Sequence, residues 1–440
     1  MKIHFIGIGG IGLSALARFL KYDGHEVSGS DMQESPLTKT LEDEGIKVTI
    51  PHDKSSITDQ NIIIHSAAVK HNNVEIIEAA KKGIKTVARK ESLPIVLGNK
   101  KVYSVCGAHG KSTTTAILAS ILQSTTLVGA ISKEFGSNFR YVKNVNAIGT
   151  EENRVVFEAD ESDGSFLLSN PYCAIVTTAE PEHMGYYGYD MVRFHHAYES
   201  FLKMATLRVI NAEDKFMSTL DMDAIKLYPS RDIQNLSFTL KDGEPYTKFN
   251  LKDLGDFEVW GFGHHIAIDA SLAILAAVHE IGLDEIRLNL KKYVGIKKRF
   301  DILHNKKNFV LIDDYAHHPT EITATIKSVS LYSNLKDLDK KVVIWQPHKY
   351  SRTLDNLEEY KLCFKGCDEL IILPVFAAGE EKMDINFEKE FANYEPIFAD
   401  QVIGKENSLE VLKDGKVVKT YNKGIIIGVG AGDITYQLRK

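Results

Sequence analysis

The chain predicts an α/β protein of three domains in series, and three observations carry that expectation. Strand-like and helix-like segments alternate almost throughout, as they do where βαβ units build parallel sheets. At 440 residues the chain is longer than one hydrophobic core supports. Two glycine-rich turns, Gly7–Gly12 and Gly107–Gly110, each join an apolar strand-like run to a helix-like one. A hydrophobic content of 44% is that of an ordinary globular chain, and a net charge of −6 argues against a general nucleic-acid or anionic-membrane binder.

The first block, residues 1–99, opens with His4-Phe5-Ile6-Gly7 and continues through a helix from Ile11 to Tyr22. Further strands are expected near Glu26–Ser28 and Asn61–Ile64, and Pro94 to Lys101 reads as a connector. Gly7-Ile8-Gly9-Gly10-Ile11-Gly12 fits GxGxxG between strand and helix, and Asp31 closes the next strand at the spacing of a ribose-binding acid. This is a Rossmann-like signature. Alone, it would indicate an NAD(P)-dependent dehydrogenase.

The second block, residues 100–297, contains Gly107-Ala108-His109-Gly110-Lys111-Ser112-Thr113 between the apolar run Val102–Cys106 and an alanine- and leucine-rich helix. Two glycines at a helix start let backbone N–H groups close on phosphate oxygens, with Lys111 as a point charge and Ser112 as an Mg²⁺ ligand. The loop is two residues shorter than the general phosphate-loop pattern, and Lys111 is expected on an exposed loop where it serves only the phosphates. Strands follow at Arg154–Phe157, Ala174–Thr177 and Arg208–Ile210, then a hairpin region at Ser237–Phe262 and a helix from His265 to Ile281. Glu158-Ala159-Asp160-Glu161-Ser162-Asp163 stands at a strand's carboxyl end, and Glu180-Pro181-Glu182-His183 follows the next strand. Glu158, His183 and Ser112 are the candidate Mg²⁺ ligands. Hydride transfer has no use for a γ-phosphate site. The first domain therefore fits a nucleotide attached to the substrate better than a dinucleotide cofactor.

The third block, residues 298–440, has strands at Phe309–Ile312, Lys341–Trp345, Glu369–Leu373 and Gly424–Val429. Asp313-Asp314-Tyr315-Ala316-His317-His318-Pro319 and Gln346-Pro347-His348-Lys349-Tyr350-Ser351-Arg352 end two strands, expected to be neighbours, and suit a small carboxylated molecule. Thr320 reads as a helix cap. Cys106, Cys173, Cys363 and Cys367 include no CxxC pair and read as free thiols. With no apolar run long enough for a bilayer and a strand-like opening, they point to the cytoplasm.

Taken together, HFIGIGGIG, SGSD, GAHGKSTTT, EADESDGSF, EPEHM, GIKKRFD, DDYAHHPTEI, QPHKYSRT and GAGDI resemble the Mur ligases, in that family's order and over essentially the whole chain. The resemblance implies a Rossmann-like N-terminal domain for the UDP-substrate, a P-loop-type central ATPase domain, and a Rossmann-like C-terminal domain that accepts the amino acid. It implies ATP and Mg²⁺, and an amide-bond ligase that joins L-alanine to the lactyl carboxylate of UDP-N-acetylmuramate through an acyl phosphate. A recycling ligase that attaches a preformed peptide shares most of these motifs. A non-catalytic nucleotide sensor would not need Lys111, Glu158, His183 and Arg299 together.

By position, the resemblance implies UDP-substrate contacts from Gly9, Gly10, Gly12, Asp31 and Ser66. ATP contacts would come from Gly107, Gly110, Lys111, Ser112, Thr113, His265, Asp269, Arg299 and Asp314. Tyr315, His317, Lys349 and Arg352 would meet the amino acid, with Lys111, Arg299, His317 and His348 catalytic. The chain departs from the family at Lys349, where arginine is usual, at Thr178, where asparagine is usual, and at Ile266 and Asp269, where two asparagines are common. The implied partners are small molecules, the implied assembly a monomer or weak homodimer, with no nucleic acid and no membrane.

Overall fold

The computed structural model describes residues 1–145 and 151–440. The chain forms two compact units, residues 1–233 with 268–293, and residues 234–267 with 294–440.

The first unit contains a two-stranded antiparallel sheet, Asn144–Val145 with Glu151–Glu152, and two large sheets. One is a five-stranded parallel sheet in the order Lys47–Thr49, Glu26–Ser30, Lys2–Ile6, Ile62–His65, Lys85–Ala88. Its central strands, HFI and III, are buried on both faces, which is why they read as unbroken apolar runs. The helix Arg89–Leu97 runs through Pro94, so the expected connector is half helical. Pro94 lacks the N–H that would reach back one turn, and the helix ends three residues later.

The other sheet has seven strands in the order Ile225–Leu227, Leu207–Asn211, Pro171–Val176, Lys101–Cys106, Arg154–Glu158, Thr125–Ser132, Ser137–Arg140. Only the last pairs antiparallel. Lys101–Cys106 is flanked by Arg154–Glu158 and Pro171–Val176, so three carboxyl ends adjoin. The helix Lys111–Leu122 is buried from Thr114 onward, consistent with a helix apolar on every side. The two sheets share one core: Phe19 meets Phe139 edge-on at 6.4 Å, and Asn138 Nδ2 donates to Ile11 O at 2.5 Å and to Ser14 Oγ at 3.0 Å.

The second unit is built on a six-stranded sheet in the order Asp301–Asn305, Phe309–Asp314, Gly424–Val429, Lys341–Trp345, Glu369–Ile372, Ile397–Phe398. Its core centres on Trp345, ringed by Tyr360, Phe364 and Phe391. Three-stranded antiparallel sheets lie at 233–260 and 401–421, the second unsignalled by any motif. Among the described residues no helix is long and apolar enough to cross a membrane. All four cysteines are free thiols.

Candidate active site

In the first unit the strand Lys101–Cys106 ends in the phosphate loop. Gly107 (φ +135°) and Gly110 (φ +80°) take backbone conformations that side chains rarely adopt. A Cβ on Gly107 would fall 2.2 Å from Thr177 Oγ1, and one on Gly110 would fall 2.4 Å from Asp269 Oδ1. Thr178 holds the loop: its carbonyl accepts from Ala108 N–H at 3.2 Å and its hydroxyl from His109 N–H at 3.1 Å. The helix that starts at Lys111 has no side-chain cap and no acid in its first turn, so its positive end is open to an anion.

Lys111 is not the exposed residue the sequence suggested. Its Nζ donates to Gly107 O at 2.7 Å and to Glu161 Oε1 at 2.8 Å, and Glu161 is 1% exposed. Burial opposes the ammonium charge, but Glu161, Asp160 and Glu158 outweigh it and hold the Lys111 pKa above the usual lysine value. Burial also pushes Glu161 upward against the pull of Lys111. Glu161 stood in the acidic run Glu158–Asp163 without a role of its own, and only the fold brings it to Lys111.

Ser112 and Glu158 come together as expected: Ser112 Oγ donates to Glu158 Oε1 at 2.9 Å, while Gly129 N–H fixes Oε2 at 2.7 Å. A hydroxyl and an anchored carboxylate at a phosphate loop are hard oxygen donors and fit Mg²⁺. His183 stands on the loop after Pro171–Val176 in a left-handed conformation (φ 52°), with its side chain 40% exposed and Nε2 3.9 Å from Glu182. Thr113 lies in the first turn and Asp269 against Gly110.

At the Gly7–Gly12 turn, Asp31 folds back onto the loop. Its Oδ2 accepts from Gly9 N–H at 2.8 Å, and its Oδ1 from Met32 N–H at 2.7 Å. Ser66 sits against Gly7, and Gly10 N–H bonds to Gly7 O. Arg89, which no motif marked, places its guanidinium about 3 Å from where a Gly12 Cβ would lie (3.1 Å to Nε). It directly follows the strand Lys85–Ala88, at a carboxyl end where such sheets bind ligands. Each Asp31 oxygen holds a backbone N–H and keeps a lone pair for a ligand hydroxyl. Because the same unit carries a separate phosphate loop, for which hydride transfer has no use, the full-length protein is expected to bind UDP-N-acetylmuramate and not NADH. A titration in which NADH alone bound tightly would reverse this.

In the second unit, the two loops expected on neighbouring strands flank Gly424–Val429 instead, because that strand pairs with both. Their imidazoles still meet, His317 and His348 lying 6.0 Å apart. Asp314 accepts from Phe300 N–H and Ala316 N–H, both at 2.8 Å. Burial pushes it up to about 6, even with Arg299 pulling the other way. Arg299 sits between two left-handed residues, Lys298 and Phe300. It lies 3.3 Å from Glu321 and 5.2 Å from the Tyr315 ring centre. His318, not Thr320, caps the following helix: Pro319 takes the first helical position and Thr320 N–H donates to the His318 ring. His265 lies at the start of the helix His264–Ala277.

Hydrogen-bond partners set the two tautomers apart. His317 Nδ1 faces the Tyr315 carbonyl at 3.0 Å and Glu321 at 3.3 Å. Both are acceptors, so Nδ1 carries the proton and Nε2 is the basic atom. His348 Nδ1 instead accepts from Arg352 Nη1 at 3.1 Å, which makes its Nε2–H a donor. Burial and the Arg352 charge push His348 down to about 4, and burial lowers His317 as well. Lys349 holds a positive φ of 69° for a non-glycine residue, with its N–H bonded to Phe376 O at 2.9 Å.

A phosphate loop backed by an acidic strand end, on a sheet with helical crossovers, defines an enzyme that uses a nucleoside triphosphate. The chain belongs to the Mur ligase family. It matches the family's catalytic-domain profile over residues 2–101, its middle domain over 105–277 and its glutamate ligase domain over 298–407. It is 56% identical to the UDP-N-acetylmuramate–L-alanine ligase of Campylobacter curvus, over 100% of this chain and 99% of that protein. It is 54% identical to that of Helicobacter pylori strain P12, over 100% and 96%. Among solved structures it is similar to the UDP-N-acetylmuramate–alanine ligase of Thermotoga maritima, with a TM-score of 0.78, 25% identity, and 100% and 97% of the two chains covered.

Proposed function

We propose that this chain ligates L-alanine to the lactyl carboxylate of UDP-N-acetylmuramate at the expense of ATP, in peptidoglycan precursor synthesis. The observation that carries this reading is the full-length match to alanine-adding relatives, joined to a phosphate loop whose lysine and hydroxyl are both in place. The domains would divide at 99/100 and 297/298, and the setting would be cytoplasmic, with the enzyme a monomer or weak homodimer.

A carboxylate resists attack by an amine until it carries a leaving group, which the γ-phosphate of ATP supplies. Phosphoryl transfer is chiefly a matter of alignment and charge neutralisation. Lys111 and the open helix terminus supply positive potential to the phosphates. Ser112, Glu158 and His183 would hold Mg²⁺, which when bound neutralises phosphate charge. Lys349 and Arg352 attract the carboxylate of the amino acid. His317, with Nε2 as its basic atom, takes the amine proton, and the Nε2–H of His348 donates a hydrogen bond beside it.

The depressed histidine pKa values have a sign. A base whose pKa lies below the ordinary imidazole value of about 6.5 stays neutral to lower pH. At saturating substrates, the acid limb of kcat is therefore expected to lie below the ordinary imidazole value of about 6.5. An acid limb centred on 6.5 and absent from His317→Gln would contradict this assignment.

Phosphate release from ATP with UDP-N-acetylmuramate and Mg²⁺, compared across alanine, glycine, serine and a tripeptide, tests the proposal. Release stimulated by alanine supports it. Stimulation by the peptide and not by alanine would move the reading to a recycling ligase.

A further inference from the structure

The loop after the strand Glu369–Ile372 carries an aromatic residue that no motif marked. Phe376 is clamped by its backbone to the His348 segment. Its N–H donates to Pro347 O at 2.8 Å, its carbonyl accepts from Lys349 N–H at 2.9 Å, and His348 and Phe376 form a parallel bridge. The phenyl ring stacks on the His348 imidazole, with centroids 5.6 Å apart and planes 11° from parallel. Gly432 closes against it, since a Cβ there would fall 2.7 Å from Phe376 Cβ. Despite this fixation the residue is 37% exposed. Arg352, His348 and Phe376 thus form one run: a cation, an imidazole and an apolar face.

We infer that Phe376 is the wall of the acceptor pocket that limits the incoming amino acid to a side chain of about methyl size. This rests on reading His348, Lys349 and Arg352 as the acceptor site. An α-amino acid presents three groups at one carbon. Arg352 suits the carboxylate and His317 the amine, which leaves the side chain to meet the apolar surface. A ring held through both backbone hydrogen-bonding groups, with glycine closed against it, has little room to retreat. One methylene against such a wall is worth about 10- to 200-fold in discrimination.

The test offers the full-length enzyme L-alanine and L-valine together and measures the product ratio, which an inactive fraction of protein does not alter. Phe376→Ala is expected to shift the ratio at least tenfold toward valine, and Phe376→Leu to fall between it and the unsubstituted enzyme. A Phe376→Ala ratio within twofold of the unsubstituted enzyme overturns the wall. If Arg352→Ala still raises the alanine KM in that case, the acceptor-site reading survives and the wall alone fails. If Phe376→Ala and Arg352→Ala both raise the ATP KM and leave the alanine KM unchanged, the acceptor-site reading itself is overturned.

Discussion

Replacing Lys111 by alanine is expected to lower turnover roughly a thousandfold, a barrier rise of about 4 kcal/mol. Lys111 is the cation of the phosphate loop, and the transferring phosphoryl group depends on charge placed in advance of reaction. The structure adds a second consequence. The lysine is paired with Glu161, so its removal leaves a buried carboxylate without its counter-charge. Breaking such a pair costs about 3 kcal/mol. Lys111→Ala should therefore melt at a lower temperature, while Lys111→Ala combined with Glu161→Gln should regain stability and remain inactive. Measuring both quantities on both variants separates the two roles. Near-normal turnover in folded Lys111→Ala would remove the phosphate-loop reading.

Arg352→Ala is expected to raise the KM for alanine between ten- and a hundredfold, with a much smaller effect on the KM for ATP. A guanidinium grips a carboxylate through two parallel hydrogen bonds, worth about 1.5–3 kcal/mol when charge-assisted. Lys349 cannot substitute, because an ammonium is a point charge without that fork. Arg352 also donates to His348 Nδ1, so its loss frees the imidazole to change tautomer and kcat should fall too. Lys349→Arg should be tolerated and lower the alanine KM. Steady-state kinetics with each substrate varied in turn would decide. An unchanged alanine KM with a weakened ATP KM would assign these cations to the nucleotide.

Much of this was legible in the sequence because it is local. Buried parallel strands are apolar runs, and phosphate-binding glycines sit where strand meets helix, so Gly107, Gly110, Lys111 and Ser112 could be named from that junction although the loop is two residues short. What stayed hidden depends on partners distant in sequence. Glu161 meets Lys111 across 50 residues, and Phe376 meets His348 only once the loop after its strand folds back. The carboxylate of Asp31 keeps its spacing to the glycine turn whatever the domain binds, and its hydrogen bond to Gly9 is seen only in the fold. The sheet at 401–421 escaped notice because its short, charged strands carry no long apolar run. The roles of His317 and His348 could not be separated from residue type, since the tautomer is set by the neighbour at Nδ1.

The chain passes between its two compact units three times, at 233/234, 267/268 and 293/294. The piece from 268 to 293 supplies Asp269 against Gly110, Glu280 to Lys101 at 2.6 Å, and Asn289 to the carbonyl of Ile121 at 2.9 Å. On the ribosome, the phosphate loop therefore emerges long before the segment that braces it. The nascent first unit must wait, with its helix Lys111–Leu122 still lacking the helix Leu283–Leu290 that packs on it, while residues 234–267 are made for the other unit. Translation speed across that interval, and chaperones that shield apolar surface, should govern how much of this enzyme reaches its native state in a cell.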